Sequence, residues 1–362
     1  MTRGEGSQSP KGIAGHETGK DGKPVTHQDR ARILLSDDVR RLFSWDVAIE
    51  AMRHVFRDLG AGRTGQPSRT VMAMPGGDGL LALMPAWGRP FARRRPMMAV
   101  KTISVFPNNR ARGLESHQGA VLLFDAESGQ LLAVVDAAPL TAIRTAAVTA
   151  VATDLLADKS ASSLALLGSG TQAYLHLAAL REVRPLRRVR VWSPTPAHRE
   201  ALAQQAIIVG IEGEAADDAR AAVQDADLVV TLTPARTPIL EGAWLTPGVH
   251  VNAIGASVPG FRELDAEVVR RADVYVDWRE AALREADDIR IPIEEGVVGA
   301  SHVLGDLTEI TMKAPKRRGA DSITLFKSVG LAVEDAYAAL AVFDAAEREG
   351  RGLTAAFQVR RD

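Results

Sequence analysis

Six residues, Gly168-Ser169-Gly170-Thr171-Gln172-Ala173, have types and spacing suited to cradling a pyrophosphate. Glycines between a strand and a helix let the backbone approach the phosphates, which then rest on free N–H groups at the helix start. Upstream, Ser163-Leu164-Ala165-Leu166-Leu167 is an apolar run of strand length. Downstream, Gln172 to Arg181 predicts a helix with Tyr174, Leu175, Leu177 and Leu180 on its apolar side. Ala173 takes the third small position, where helix must meet strand closely. A second apolar run, Val189-Arg190-Val191-Trp192, follows. Glycine-rich turns also occur in ordinary βα units. Here the strand–turn–helix–strand order predicts a Rossmann unit, with Gly168, Ser169, Gly170, Thr171 and Gln172 around a dinucleotide's phosphates.

The end of the second run bears on which dinucleotide. It continues Ser193-Pro194-Thr195-Pro196-Ala197-His198-Arg199, with no acid before Glu200. An NAD-selective fold usually places Asp or Glu there to accept from the ribose hydroxyls. Ser193, Thr195 and Arg199 suit a 2′-phosphate instead, so NADP(H) is favoured and NAD(H) stays open. Ser193 and Thr195 equally suit capping of the next helix.

Three basic residues stand in apolar surroundings. Lys101 follows Met97-Met98-Ala99-Val100, Arg144 lies in Leu140-Thr141-Ala142-Ile143-Arg144-Thr145-Ala146, and Arg69 follows Pro67-Ser68. A buried cation is costly unless paired, and none of the three has a fixed acidic neighbour in sequence. They predict a pocket for an anion such as a carboxylate. The alternative is surface positions for Arg69 and Lys101 and a structural ion pair for Arg144.

These groups need elements to carry them. Met1 to about Asp29 is rich in Gly, Ser, Lys, His and Pro and reads as a disordered tail, taken as 1–30. Helices are predicted over Asp37–Leu42 and Trp45–Leu59. Short strands follow at Thr70–Met74, Gly79–Met84, Met97–Val105, Ala120–Phe124 and Leu131–Val135, with a hairpin turn at Asp125–Gly129. Pro139 opens a long helix to about Leu156 that leads into the Rossmann unit. That unit continues through Asp227–Thr233, Val249–Ile254 and Val274–Val276. After Ile323–Phe326, an amphipathic helix from Leu331 to about Arg348 is expected to pack back on the first domain. The fold class is therefore α/β: a Rossmann dinucleotide-binding domain over 147–319, plus an α+β substrate domain over 31–146. The second is completed by 320–362, so it is built from both chain ends.

Composition narrows the classes. The 362 residues are 46% hydrophobic, enough for two cores, and the net charge of −1 gives no reason to expect nucleic acid. No apolar run approaches the ~20 residues of a membrane span, and the N-terminus lacks a signal-peptide pattern. There is no cysteine, and the eight histidines lack metal-binding spacing, so no metal is expected. A cytoplasmic protein is the expectation.

From about Ile33 to Gly352 the chain resembles the ornithine cyclodeaminase/μ-crystallin superfamily. The resemblance rests on Ala99-Val100-Lys101, Pro107-Asn108-Asn109 through Leu114, His117-Gln118, Val121–Phe124 and Ala142–Ala147. Gly168–Ala173, Val251-Asn252-Ala253-Ile254-Gly255 and Leu325-Phe326-Lys327-Ser328-Val329-Gly330 complete it. It implies that Arg69, Lys101 and Arg144 grip a substrate's α-carboxylate and reacting carbon beside the nicotinamide. It also implies a homodimer paired through the substrate domains. Thr145, Thr231, Thr233, Ile254 and Ser257 would line the ribose and nicotinamide, with Lys327 and Ser328 completing that pocket. Turn capping is the alternative for Thr231, Thr233 and Ser257.

In the cyclodeaminase branch the positions matching Ala82 and Ser257 are acids, and this chain has neither. Gly255-Ala256-Ser257, Pro259, Arg262-Glu263-Leu264-Asp265, Tyr174, His176, Pro238-Ile239-Leu240 and Trp244 look instead like the μ-crystallin branch. The resemblance thus implies an NAD(P)H-dependent reductase of a cyclic ketimine, Δ1-pyrroline-2-carboxylate or Δ1-piperideine-2-carboxylate, giving L-proline or L-pipecolate. Arg69 and Arg144 would clamp the carboxylate, and Lys101, its pKa lowered by the arginines, would donate a proton. Ornithine cyclodeaminase, an amino-acid dehydrogenase such as alanine dehydrogenase, and a non-catalytic NADPH-binding protein remain as alternatives.

Overall fold

The computed structural model describes residues 30–357, except 78, 93, 94, 316–318 and 320. The tail expected at 1–30 lies outside the described residues apart from Arg30. In chain order the strands are β1 (Arg30–Leu34), β2 (Thr64–Gly65), β3 (Thr70–Ala73), β4 (Leu80–Gly88), β5 (Met97–Val105), β6 (His117–Asp125), β7 (Leu131–Asp136) and β8 (Ser163–Leu167). They continue with β9 (Arg188–Trp192), β10 (Glu212–Ala215), β11 (Leu228–Thr231), β12 (His250–Ala253), β13 (Asp273–Val276), β14 (Val303–Asp306), β15 (Thr324–Lys327) and β16 (Leu353–Ala356). The helices are α1 (Ser36–Leu42), α2 (Trp45–Gly60), α3 (Ala137–Leu156), α4 (Thr171–Arg181), α5 (Pro196–Ile208), α6 (Ala219–Val223), α7 (Ala266–Arg271), α8 (Arg279–Glu285), α9 (Asp287–Glu294), α10 (Leu307–Ile310) and α11 (Ala332–Glu349).

The strands form two sheets. The first runs β16-β1-β7-β6-β5-β4-β2, with β3 also on β4, and it is antiparallel apart from the β1–β7 pair. Its first and last strands along the chain, β1 and β16, lie side by side. Period-two alternation sets its faces: Ala82, Met84, Ala86, Ala99, Lys101 and Ile103 turn inward against α11, while Leu83, Trp87 and Met98 are exposed on the other side. The second sheet, β10-β9-β8-β11-β12-β15-β13-β14, is parallel throughout, and β11, β12, β13 and β15 are buried along their length. Strands covered on both faces are rich in apolar residues, and the polar ones here are paired inside the sheet, as His250 is with Thr324 and Asn252.

Helix α3 ties the sheets together. Asp136 caps it by accepting from the Ala138 amide, and the helix touches α2, β6 and α11 on one side and α4 and β12 on the other. Its alanines make this close packing feasible: Ala146, Ala147, Ala150 and Ala152 are fully buried. Helix α11 closes over β4, β5 and β6 and ends at Gly350, whose φ of +66° is a left-handed cap that glycine adopts without strain. One expected boundary is corrected. The chain does not return to the first sheet at 320, because β15 inserts between β12 and β13 of the second. The return begins after Gly330, since a strand with partners on both sides satisfies its ladder only inside that sheet.

The packing around α3 predicts that Ala147→Leu, which adds three carbons where no space exists, costs about 1–3 kcal/mol. Urea titration of the two proteins should show a lower midpoint for the variant.

Candidate functional site

The seam between the sheets holds a buried charge cluster. Lys101 projects from the inner face of β5, opposite Met84 and Val121, and its side chain is only 4% exposed. Its Nζ donates to Asp335 Oδ2 at 3.1 Å. The other oxygen of that carboxylate accepts from Arg144 Nε at 2.9 Å, and Arg144 Nη1 donates to Glu334 Oε2 at 2.6 Å. Glu334 and Asp335 open α11, while Arg144 comes from α3, so the cluster joins three elements.

Its electrostatics follow from burial. Desolvation pushes the Lys101 ammonium below its usual range, against the pull of Asp335, with Arg144 and Arg69 adding repulsion. The expected fall is present, although burial rather than the arginines is its leading cause. Burial also opposes ionisation of Asp335, but Arg144 and Lys101 together hold it below the ordinary carboxylate range. Glu334 goes the other way: burial, aided by Asp277 and Asp335 against Arg144, pushes it up to about 8.

Arg69 reaches the same seam from just before β3. Its Nη2 donates to the carbonyls of Val329 (3.3 Å) and Gly330 (3.0 Å) and pairs with Glu285 at 2.9 Å. The turn that presents those carbonyls is fixed from below by Asp277, whose Oδ2 accepts from Ser328 Oγ and from the amides of Val329 and Gly330 at 2.6–3.0 Å. Gly330 has φ +76°, and a Cβ there would sit 3.1 Å from Arg144 Nη1, so its lack of a side chain lets the guanidinium lie against the turn. A cavity of about 110 Å³ opens beside Arg69, lined by Gln66, Met84, Trp278, Arg284, Glu285 and Leu331 among others.

The glycine turn lies at the carboxyl end of the second sheet. Gly168 has φ +125°, and a Cβ on it would come within 2.8 Å of the Leu232 carbonyl oxygen. Gly170 caps α4 with no side-chain acceptor, and a Cβ on it would meet nothing within 4 Å. The start of α4 is thus left uncapped beside open space, as an anion site needs. Ser169 Oγ donates to Ser193 Oγ at 2.8 Å, joining the ends of β8 and β9. Arg199 reaches the Ser193 carbonyl (3.3 Å), and its buried Nε, like the buried Oε1 of Gln172, has no hydrogen-bond partner. Open backbone and hydroxyls at the ends of β8 and β9 suit a dinucleotide, and the Arg199 guanidinium beside them is paired with Asp217 at 3.7 Å.

The remaining expected site residues fall into two groups. Thr145, whose hydroxyl donates to Thr141 O, and Ser257 are part-buried near the sheet's carboxyl end, and Ile254 beside Ser257 is buried. Others serve the scaffold. Thr231 and Thr233 donate their hydroxyls to Glu263, which also takes the amides of Thr233, Gly255 and Ala256. Lys327 does not face a pocket: it is fully buried and paired with Asp288 at 2.9 Å, and Asp288 in turn accepts from the Glu263 and Leu264 amides. Ser328 is likewise engaged with Asp277. These side chains shape the loops rather than extend into the cleft. The carboxylates Glu263, Asp277, Asp288, Glu285, Glu334 and Asp335 were not anticipated. The one signal for the last two was an adjacent acid pair at the start of a helix with a broadly apolar face.

Comparison with known proteins identifies the family and the fold. Residues 30–350 match the ornithine cyclodeaminase/mu-crystallin family. The ketimine reductase mu-crystallin of Macropus fuliginosus is 36% identical over 86% of this chain and 96% of its own. The Thermococcus litoralis Δ1-pyrroline-2-carboxylate reductase, solved with NADH and L-proline, superposes with a TM-score of 0.84 at 34% identity, covering 89% of this chain and 99% of that one. An archaeal alanine dehydrogenase dimer with bound NAD also gives 0.84, at 31% identity over 91% and 100%.

His176 of α4 supplies a test of how tightly α3 and α4 join. Its ring contacts Thr149 Oγ1 (3.0 Å) and the Gln172 carbonyl (2.8 Å), and burial lowers its pKa from 6.5 to about 4. A histidine held neutral when folded contributes stability above pH 6.5 that is lost as pH falls toward 4. Across that window wild type should lose about 3 kcal/mol more stability than His176→Gln, read by denaturant titration at several pH values.

Proposed function

The chain belongs to the ornithine cyclodeaminase/mu-crystallin family, and from that premise we propose that it reduces a cyclic ketimine carboxylate with a reduced nicotinamide dinucleotide. It is an NAD(P)H-dependent oxidoreductase acting on C=N and CH–NH groups. Its substrate is Δ1-pyrroline-2-carboxylate or Δ1-piperideine-2-carboxylate, and its product L-proline or L-pipecolate. The observation that carries this reading is the convergence of Arg69, Lys101 and Arg144 in one seam. Neither Ala82, buried on β4, nor Ser257 supplies the acid that ring closure of a diamino acid would need.

A reduced nicotinamide dinucleotide, when bound, would supply the hydride. Gly168 to Gln172 would hold its pyrophosphate, and Thr145, Ile254 and Ser257 would border the ribose and nicotinamide. The chain's own groups do the rest. Arg69, the most exposed of the three cations at 22%, takes the substrate carboxylate and releases Glu285. Arg144 lies behind it and adds positive field from a dry site. Lys101 holds a proton toward the imine nitrogen, which makes the C=N carbon electrophilic and leaves an amine after transfer. Burial lowers the Lys101 pKa, in the direction a donor working near neutral pH needs.

NADPH is the favoured donor. Ser193, Thr195 and Arg199 gather at the end of β9, where a 2′-phosphate would displace Asp217 and accept from the Arg199 guanidinium. The proposed assembly is a homodimer in the cytoplasm. The exposed face of the first sheet, with Val71, Met72, Leu83, Trp87 and Met98, is an apolar area of the kind that a second copy covers, and the similar alanine dehydrogenase is described as a dimer.

Three measurements test this reading. Purified protein should oxidise NADPH with either ketimine and release no ammonia from ornithine plus NAD; the opposite pattern would make it a cyclodeaminase. Arg199→Ala should lower kcat/KM for NADPH by about tenfold and leave NADH within about twofold. Light scattering should give twice the 38.7 kDa chain mass, and Trp87→Glu should return it to one.

A further inference from the structure

The cluster contains one carboxylate that touches both bases and that no role above uses. We propose that Asp335 is a positioning residue of the reaction: by gripping Lys101 Nζ and Arg144 Nε at once, it fixes their separation and keeps Lys101 charged. This rests on the reading of Lys101 as the proton holder.

Among the described residues, the surroundings of Lys101 leave Asp335 alone in that task. Across the neighbouring strands Lys101 faces Met84 and Val121, which are apolar. From α3 it faces the cation Arg144, and from the chain before β3 the cation Arg69. From α11 it faces Asp335, at 3.1 Å. Glu334, the adjacent acid, is directed to Arg144 at 2.6 Å, and Asp277, which adds to the field on Arg144, is occupied by the Ser328–Gly330 turn. An ammonium in a dry site with two guanidiniums nearby stays protonated only against a close anion. Because each oxygen of Asp335 serves a different base, moving the carboxylate moves both. Its helix fixes its position, since Asp335 lies in the first turn of α11 with α11 packed on β4, β5 and β6.

The test compares wild type, Asp335→Asn and Asp335→Glu. The asparagine variant keeps the volume and removes the charge. It should lower kcat by about tenfold or more and move the alkaline limb of the kcat profile down by about one pH unit or more. Its affinity for the dinucleotide, read by fluorescence quenching, should not change. The Cε resonance of Lys101 in 13C-lysine protein, assigned by its loss in Lys101→Met, should titrate earlier by the same amount without any substrate present. A folded Asp335→Asn with an unmoved limb and an unmoved Lys101 titration overturns the proposal. If that variant does not fold, Asp335→Glu decides. It keeps the charge but displaces it by one methylene, so its alkaline limb should stay in place while kcat falls several-fold, and an unchanged kcat overturns the positioning role. Wild type that reduces no ketimine, yet whose Lys101 titration follows Asp335, would sink the functional reading and leave the coupling standing.

Discussion

Burying two cations between two sheets is tolerable only because Glu334 and Asp335 are buried with them. Each of these charges alone would be strongly destabilising in a site this dry, and removing one partner would leave the others uncompensated. The constraint reaches far into the fold. Helix α11 must deliver its first turn beneath β5, α3 must present Arg144 from the other side, and Gly330 must lack a side chain so that the guanidinium fits. The seam is thereby built by residues from both ends of the chain, and its geometry depends on both sheets being in register.

The same logic of buried carboxylates recurs on the dinucleotide side. Glu263 gathers the carboxyl ends of β11 and β12, Asp288 holds the segment that carries Glu263 and neutralises Lys327, and Asp277 shapes the turn read by Arg69. Each carboxylate satisfies several loop amides that would otherwise be buried without partners. The loops that face the cleft are thus held by rigid polar contacts beneath them. Glu285 is the exception: it reaches across the seam to Arg69 from the end of α8, where a substrate carboxylate would compete for the same guanidinium.

Much of this was legible in the sequence because it depends on local patterning. Strand–glycine–helix order around Gly168, the apolar runs of the second sheet, and the Ala-rich helix through Arg144 all express short-range periodicity. The three cations were conspicuous because Lys and Arg interrupt apolar runs. What could not be read is what lies far apart in sequence. Asp335 is 234 residues from Lys101 and 191 from Arg144, and no local pattern ties them. For the same reason Lys327 and Thr231 looked like cleft residues, when Asp288 and Glu263 claim them. The insertion of β15 between β12 and β13 is also a long-range pairing, invisible from its four residues alone.

Whether the seam beside Arg69 receives a carboxylate is tested most directly by a crystal structure of the protein with NADP+ and L-proline or L-pipecolate. The amino-acid carboxylate should lie on Arg69, with the Arg69–Glu285 pair opened and the ring nitrogen within hydrogen-bond reach of Lys101 Nζ. An amino acid bound elsewhere, with Arg69 still paired to Glu285, would contradict that placement.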